Sequence, residues 1–309
     1  MSSRKPIVVV GSINLDLVAV APKIPAVGET LIGTDFQIHP GGKGANQAVA
    51  VALLGYPVHM IGRLGTDSFG AQLRAHLEQT GVDTAGVLSS DGASGVAVIV
   101  VSSTGENSIV VAPGANSKLT PQDLDSNLPI IRSAGIVLAQ LEIPLETVER
   151  LSEICAREKV PLVLDPAPAR SLPATLLKNV AWLTPNESEA SFYVGDEHDN
   201  SASRDVGDTA SRLFDLGCRG VILKMGAQGV YLAENRMNGL AIPAFKVVSV
   251  DSTAAGDAFN GAFGVALMLG KSPGESARFA AAAAAVSVTR AGAQPSMPTM
   301  AEVESLLSR

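Results

Sequence analysis

Residues 135–164 run Gly135-Ile136-Val137-Leu138-Ala139, then Gln140-Leu141-Glu142, then a helical pattern from Leu145 to Arg157, then Pro161-Leu162-Val163-Leu164. A short apolar run, a helix-length segment and a second apolar run read as strand, crossover helix and strand. The alternation extends in both directions. Ile7–Gly11, Val58–Ile61, Ala181–Leu183 and Gly220–Leu223 are further candidate strands. Ala45–Leu54, Phe69–Thr80 and Ser203–Leu216 are candidate helices. This rhythm predicts an α/β fold with a mostly parallel central sheet and helices on its faces. Val230–Ala233 and Leu240–Val248 read as strands of an antiparallel addition.

Two segments break the rhythm. Leu17 to Ile38 has no helix signal and is punctuated by Pro22, Pro25 and Gly28. Val96–Val101 and Ile109–Val111 flank Ser103-Thr104-Gly105-Glu106-Asn107, which reads as a hairpin turn. Together they predict a small β-sheet outside the main one. Such a sheet has an apolar face that needs cover, from a ligand site or from another subunit.

The 309 residues are 46% apolar and 17% charged, a composition that opposes long disordered tracts. Aromatics make up only 4%, so Val, Leu, Ile and Ala must build the core. A net charge of −7 with no basic stripe argues against nucleic acid as a partner. No apolar run is long enough to predict a membrane span, and Asp16 interrupts the N-terminal apolar stretch. Cys155 and Cys218 have no metal or redox spacing and read as buried thiols of a cytoplasmic protein. The histidines, His39, His59, His76 and His198, have no ligand spacing and read as incidental.

Ligands of open α/β sheets bind beyond the carboxyl ends of the strands. Here those ends lead to Asn14 and Asp16, to Gln140 and Glu142, to Asp165, to Asn186 and Glu189, and to Lys224–Gly229. Ser12, Asn14 and Asp16 share one face of an extended segment, which suits either vicinal hydroxyls or a polar outer strand face. His39-Pro40-Gly41-Gly42-Lys43-Gly44-Ala45-Asn46-Gln47 is a glycine loop running into a helix. It has neither the Walker A nor the dinucleotide spacing. Its glycines allow close backbone approach to a ligand, or simply start a helix. Asn186 and Glu189 fit a helix cap or a water-mediated magnesium site.

The most specific stretch is Val250-Asp251-Ser252-Thr253-Ala254-Ala255-Gly256-Asp257-Ala258-Phe259-Asn260-Gly261. Small residues before a helix expose backbone N–H groups as an anion hole. Asp257 there can accept a proton from an attacking hydroxyl, or it can cap the helix. A cap needs neither Ala-Ala-Gly before it nor small residues after it, which favours catalysis.

Asn14-x-Asp16, Gly41-Gly42-Lys43-Gly44-Ala45-Asn46-Gln47-Ala48, Gly62-Arg63-Leu64-Gly65-Thr66-Asp67 and Asp251-x-x-Ala254-Ala255-Gly256-Asp257 resemble the ribokinase family of carbohydrate kinases. The resemblance runs from about Val8 to Pro298. It implies a single ribokinase-like three-layer α/β/α domain over 1–309, with a β-lid formed by about 14–40 and 94–112. It implies ATP-dependent phosphorylation of D-ribose at O5, the alternatives being fructose, deoxyribose or a nucleoside as acceptor. Asn14, Asp16, Gly42, Lys43, Gly44, Ala45, Asn46 and Glu142 would then hold the sugar, and Asp257 would be the base in an Ala254–Asp257 anion hole that includes Ala255 and Gly256. Asn186, Lys224, Met225, Gly226, Ala227, Gln228, Gly229 and Gly256 would line the ATP site. Mg²⁺ would be held indirectly by Asn186 and Glu189. K⁺ would sit near Asp251, Thr253, Ser287, Arg290, Gly292 and Ser296. A homodimer through the lid is also implied. One departure is Ala281, where some members place a histidine near adenine.

Overall fold

Four consecutive residues, Ile7 to Val10, are completely buried on both faces, and this sets the architecture. In the computed structural model, which describes residues 4–195, 205–236 and 238–309, they form β1 (Ile7–Val10). Alternate side chains enter different cores. Ile7 and Val9 pack with Phe259, Phe263 and Ala280, whereas Val8 and Val10 pack with Leu151, Ile154 and Cys155. Each such side chain contributes about 1.5–3 kcal/mol on burial. A strand that feeds two cores needs helices above and below, which gives three layers.

The strands follow in chain order. They are β2 (Asn14–Ala21), β3 (Asp35–Gly41), β4 (Val58–Gly65), β5 (Asp83–Ser90), β6 (Gly95–Ser102) and β7 (Asn107–Ala112). Then come β8 (Ile136–Ala139), β9 (Leu162–Leu164), β10 (Trp182–Leu183), β11 (Val221–Lys224), β12 (Val230–Ala233) and β13 (Gly239–Ile242). The large sheet has the order β13-β12-β11-β10-β9-β8-β1-β4-β5. It is parallel from β11 to β5, and β12 and β13 are antiparallel additions. The small sheet has the order β3-β2-β6-β7, with β2 and β6 parallel and the outer pairs antiparallel.

The predicted parallel sheet and small lid are therefore present, and the hairpin turn lies between β6 and β7. Three readings need correction. The last antiparallel strand stops at Ile242 rather than Val248, because Pro243 has no N–H to continue the ladder. β5 was not anticipated. Its Asp, Gly and Ser residues hide a strand that β4 templates along its length. The helix expected from Ser203 begins at Val206 behind an Asp205 cap, while Ser203 and His198 lie outside the described residues. Cys155 and Cys218 are buried, and burial pushes each thiol up to about 12, so neither is a nucleophile at neutral pH. Among the described residues, no helix is long and apolar enough to cross a membrane.

Candidate active site

The helix Lys43–Leu53 begins directly on the end of β1. A Cβ on Gly44 would lie 2.7 Å from the backbone carbon of Gly11, so only glycine permits this approach. Gly42 turns the chain into the helix with φ 88°. Ser12 Oγ donates to Glu142 Oε2 at 2.6 Å, and the Lys43 N–H donates to the same oxygen at 3.2 Å. Three segments distant in sequence are thus tied at one point.

Asn14 is buried, which removes the reading of a polar outer strand face. Its Oδ1 accepts from Asn116 Nδ2 at 2.7 Å, and the Ile13 N–H donates to Asn116 Oδ1 at 2.9 Å. That orientation leaves the Asn14 amide N–H groups for a ligand. The Asp16 carboxylate lies against Gly41, where a Cβ would come within 2.2 Å of Oδ2. Among the described residues it accepts no side-chain hydrogen bond. Burial, with Glu142 and Asp257 nearby, pushes its carboxyl up to about 6. A half-buried carboxylate without donors is suited to accept from hydroxyls of a ligand.

Asp257 sits in the first turn of the helix Ala255–Met268 and is 4% exposed. It does not cap the helix. The N-cap position is Ala254, in the left-handed region at φ 58° and without a side-chain cap. The Ala255 N–H donates to Ser252 O at 3.2 Å, so the amides of Gly256 and Asp257 carry the open donors of this turn. Of the expected Ala254–Asp257 anion hole, the Ala255 N–H is thus engaged within the turn. The Asp257 side chain accepts from Asn46 Nδ2 at 2.9 Å and from Gln47 Nε2 at 3.1 Å. Burial pushes its carboxyl up to about 6, with Lys43 opposing, Asp165 reinforcing, and the Asn46 and Gln47 donors opposing. Burial pulls the Lys43 ammonium down, but Asp257, Asp165, Glu142 and Glu189 together outweigh it and hold it above the ordinary lysine value.

Beyond Asp257 opens a cleft of about 910 Å³ lined by Lys43, Asp165, Asn186, Glu189, Lys224, Gly226 to Gly229, Ala254 to Asp257, Phe245 and Ala281. Lys224 ends β11 and pairs with Asp165 at 2.9 Å. Its ammonium stands 3.3 Å from where a Gly256 Cβ would be, so a positive charge abuts the open amides. Met225 leads into the turn Gly226–Gln228, and the Met225 N–H donates to Gly229 O at 2.9 Å. Asn186 and Glu189 form a complete capping box on the helix Glu187–Val194, as the cap reading expects, and both also line the cleft. Both Glu189 oxygens accept from Asn186, at 2.8 and 3.0 Å. Burial and Asp165 push the Glu189 carboxyl up.

Asp251 Oδ1 accepts from the N–H and Oγ1 of Thr253, and Oδ2 accepts from the Gly292 N–H at 2.8 Å. Those bonds outweigh burial and hold its carboxyl below the usual range. The structure brings Asp251, Thr253 and Gly292 together. The side chains of Ser287, Arg290 and Ser296 turn to local partners, Ala284 O, Glu302 and Ala293 O. From these three positions only backbone carbonyls and hydroxyl lone pairs remain for a cation.

Several residues escaped the sequence reading. Asp165 pairs with Lys224 and accepts from Gln47 Nε2 at 3.3 Å; Gln47 in turn accepts from Gln140 at 2.7 Å. Asn116 and Gln294 bond to Asn14 and Asn46 across separations of 102 and 248 residues. Gln47, Gln140 and Asp165 had a signal only as members of the glycine-loop and strand-end clusters, whereas Asn116 and Gln294 had none.

Residues 4–300 match the pfkB family of carbohydrate kinases. The ribokinase of Haemophilus influenzae is 43% identical over 300 residues, covering 97% of each chain. The ribokinase of Bacillus subtilis is 43% identical over 305 residues, covering 98% of this chain and 99% of that protein. The structure of Arabidopsis thaliana ribokinase complexed with ribose and ATP superposes with a TM-score of 0.90 at 37% identity, over 99% of both chains. An uncapped helix start with a buried aspartate, a polar strand-end cluster and this extent of similarity lead to one conclusion: the chain belongs to the pfkB family of carbohydrate kinases.

Proposed function

We propose that the protein is a ribokinase that transfers the γ-phosphoryl group of ATP to O5 of D-ribose. The observation that carries this reading is Asp257, buried between an unpartnered sugar-side carboxylate and a cleft lined with small residues and a lysine. Asp16 and the free amide of Asn14 accept from and donate to adjacent ribose hydroxyls. Lys43 and Glu142 close the same side. Asp257 takes the proton of the 5-hydroxyl as that oxygen attacks phosphorus. A carboxyl held at about 6 is ionised at neutral pH yet basic enough to share the proton. The amides of Gly256 and Asp257, with the Lys224 ammonium beside them, stabilise charge on the transferring group.

The residues present fit a magnesium ion and a potassium ion. Magnesium keeps much of its water shell, and the two committed oxygens of Glu189 suit contact through water, with Asn186 beside it. Bound there, magnesium would neutralise charge on the phosphates. Asp251, Thr253 and Gly292 close a loop whose carbonyls, with those near Ser287, Arg290 and Ser296, offer hard oxygen donors to potassium. Charge at that position would favour an anion at the neighbouring amides.

The lid leaves Phe36, Ile38, Val98 and Val110 exposed on the face opposite Asp16, a patch that a second lid would cover in a homodimer. Inert thiols and the absence of a spanning helix among the described residues agree with a cytoplasmic location.

A coupled assay of ADP release over ribose, 2-deoxyribose, fructose, other hexoses and nucleosides tests the reading. Ribose should give the highest kcat/KM. Preference for another acceptor would replace ribose in this scheme, and no ADP release with any of them would overturn it.

A further inference from the structure

Asn46 holds the catalytic carboxylate, but nothing in its own helix decides which end of its amide faces Asp257. The two ends have almost the same shape and opposite hydrogen-bonding character. Gln294 makes the choice. Its Nε2 donates to Asn46 Oδ1 at 3.1 Å, which leaves Asn46 Nδ2 to donate to Asp257 Oδ2 at 2.9 Å. Gln294 carries the same ambiguity, and His76 resolves it. His76 Nε2 lies 2.8 Å from Gln294 Oε1 and donates to it in the tautomer that carries the proton on Nε2. The chain therefore runs from His76 on the helix Ser68–Gln79 through Gln294 and Asn46 to Asp257. Gln294, Asn46 and Asp257 are 3, 6 and 4% exposed, so water does not compete along most of it.

We propose that Gln294 and His76 are positioning residues that lock the Asn46 amide N–H onto Asp257 and so favour the ionised base. The direction follows from donor counting. An ionised Asp257 only accepts, so every link must donate toward it, starting from His76. A protonated Asp257 permits the reverse direction, with Asn46 Oδ1 facing the carboxyl and His76 accepting from Gln294. A proton held on His76 Nε2 opposes that reversal. The turn that carries Gln294 is itself anchored two residues earlier, where the Gly292 N–H meets Asp251.

This inference rests on Asp257 being the base. Cutting the chain at Gln294→Leu frees Asn46 to rotate, so Asp257 loses a donor for part of the time. The acid limb of the kcat–pH profile should move up by about 0.5–1 pH unit, because lost hydrogen bonding to the charged form raises a pKa. Turnover at pH 6 should fall about two- to fivefold by the same shift. The other charged groups facing Asp257 stay in place: Lys43 from the helix Lys43–Leu53, Asp165 beyond β9 with its partner Lys224, and Asp16 on β2. In an Asn46→Ala background, Gln294→Leu should move the limb no further.

His76→Leu, on a partly exposed helix face, should give the same direction of shift. A limb that is unmoved in both Gln294→Leu and His76→Leu overturns the lock, whatever happens to Tm. So does a shift that persists undiminished without Asn46. Asp257→Asn separates the two readings. If it is inactive while the limb stays put in the other variants, only the lock fails. If it turns over like wild type, the base reading fails and takes the lock with it.

Discussion

Asp257 and Asp16 are held out of water for different ends. Asp257 is surrounded by donors, and its carboxyl still rises to about 6 because burial outweighs Lys43 and the two amides. Asp257→Asn keeps the size and loses the proton acceptor. Turnover should fall by about 10²–10⁴ while ribose and ATP dissociation constants, measured by calorimetry, change only a few-fold. The wild-type kcat should also decline as pH falls through about 6. Asp16 has no donor of its own among the described residues, so its ionised form is destabilising in the absence of the proposed sugar. Its folded pKa, about 6, exceeds the ordinary 3.8. The protonated form therefore contributes stability that is complete below about pH 4 and lost as pH rises through 6. Asp16→Asn imitates the protonated form at every pH. At pH 8 it should unfold later than wild type, by on the order of 1–2 kcal/mol, and this advantage should shrink between pH 6 and pH 4. The ribose KM of the same variant should rise, by about tenfold or more for a lost charged hydrogen bond. A melting difference that does not vary with pH would mean that Asp16 is not strained.

Secondary-structure elements bring these residues together chiefly through one contact, the start of the helix Lys43–Leu53 on the end of β1. Gly44→Ala places a Cβ against the Gly11 and Ser12 backbone, where no flexible side chain can yield. The helix start must retreat and take Lys43, Asn46 and Gln47 with it. Overpacking of this kind costs about 1–3 kcal/mol, readable as a lower Tm. Displacement of the base's partners should reduce kcat/KM by about 10²-fold. An active, equally stable Gly44→Ala would show that the contact is slack. The same scale explains what the sequence could reveal. β1 and β8 are legible because both faces are buried and nothing interrupts the apolar run. β5 is not, since its partner β4, and not its own composition, makes it a strand. Polar clusters at strand ends are local and were visible, including Asn14, Asp16, Glu142 and Asp257. Their supports, Asn116, Gln294 and His76, sit in a turn, a turn and a helix face with no periodic signal. They meet the site only after folding joins segments more than 100 residues apart. His76, read as incidental for want of ligand spacing, bonds to Gln294 instead of a metal.

At the scale of the whole molecule, the proposed sugar side and the proposed nucleotide cleft meet at a single helix start, and the flanking loops hold that start in place. Asp251 precedes it, and Gly292 follows the next helix, Pro273–Ser287. Their 2.8 Å hydrogen bond draws the two loops together behind the proposed anion hole. The bond alone makes Asp251 structural, so a loss of activity in Asp251→Ala would not reveal an ion. The informative quantity is the ratio of rates in potassium and in sodium at equal ionic strength. A large, weakly hydrated cation suits a loose cage of carbonyls and hydroxyls better than a small one, and its charge adds to the pull on phosphate oxygens. Wild type should therefore turn over faster in potassium. In Asp251→Ala the two rates should become equal, with both lower than the wild-type rate in potassium. KM for ATP should carry part of the difference, because the charge lies on the nucleotide side, while KM for ribose should change little. Equal wild-type rates in the two salts would leave Asp251 as a loop tie alone, and an undiminished ratio in Asp251→Ala would place any ion elsewhere.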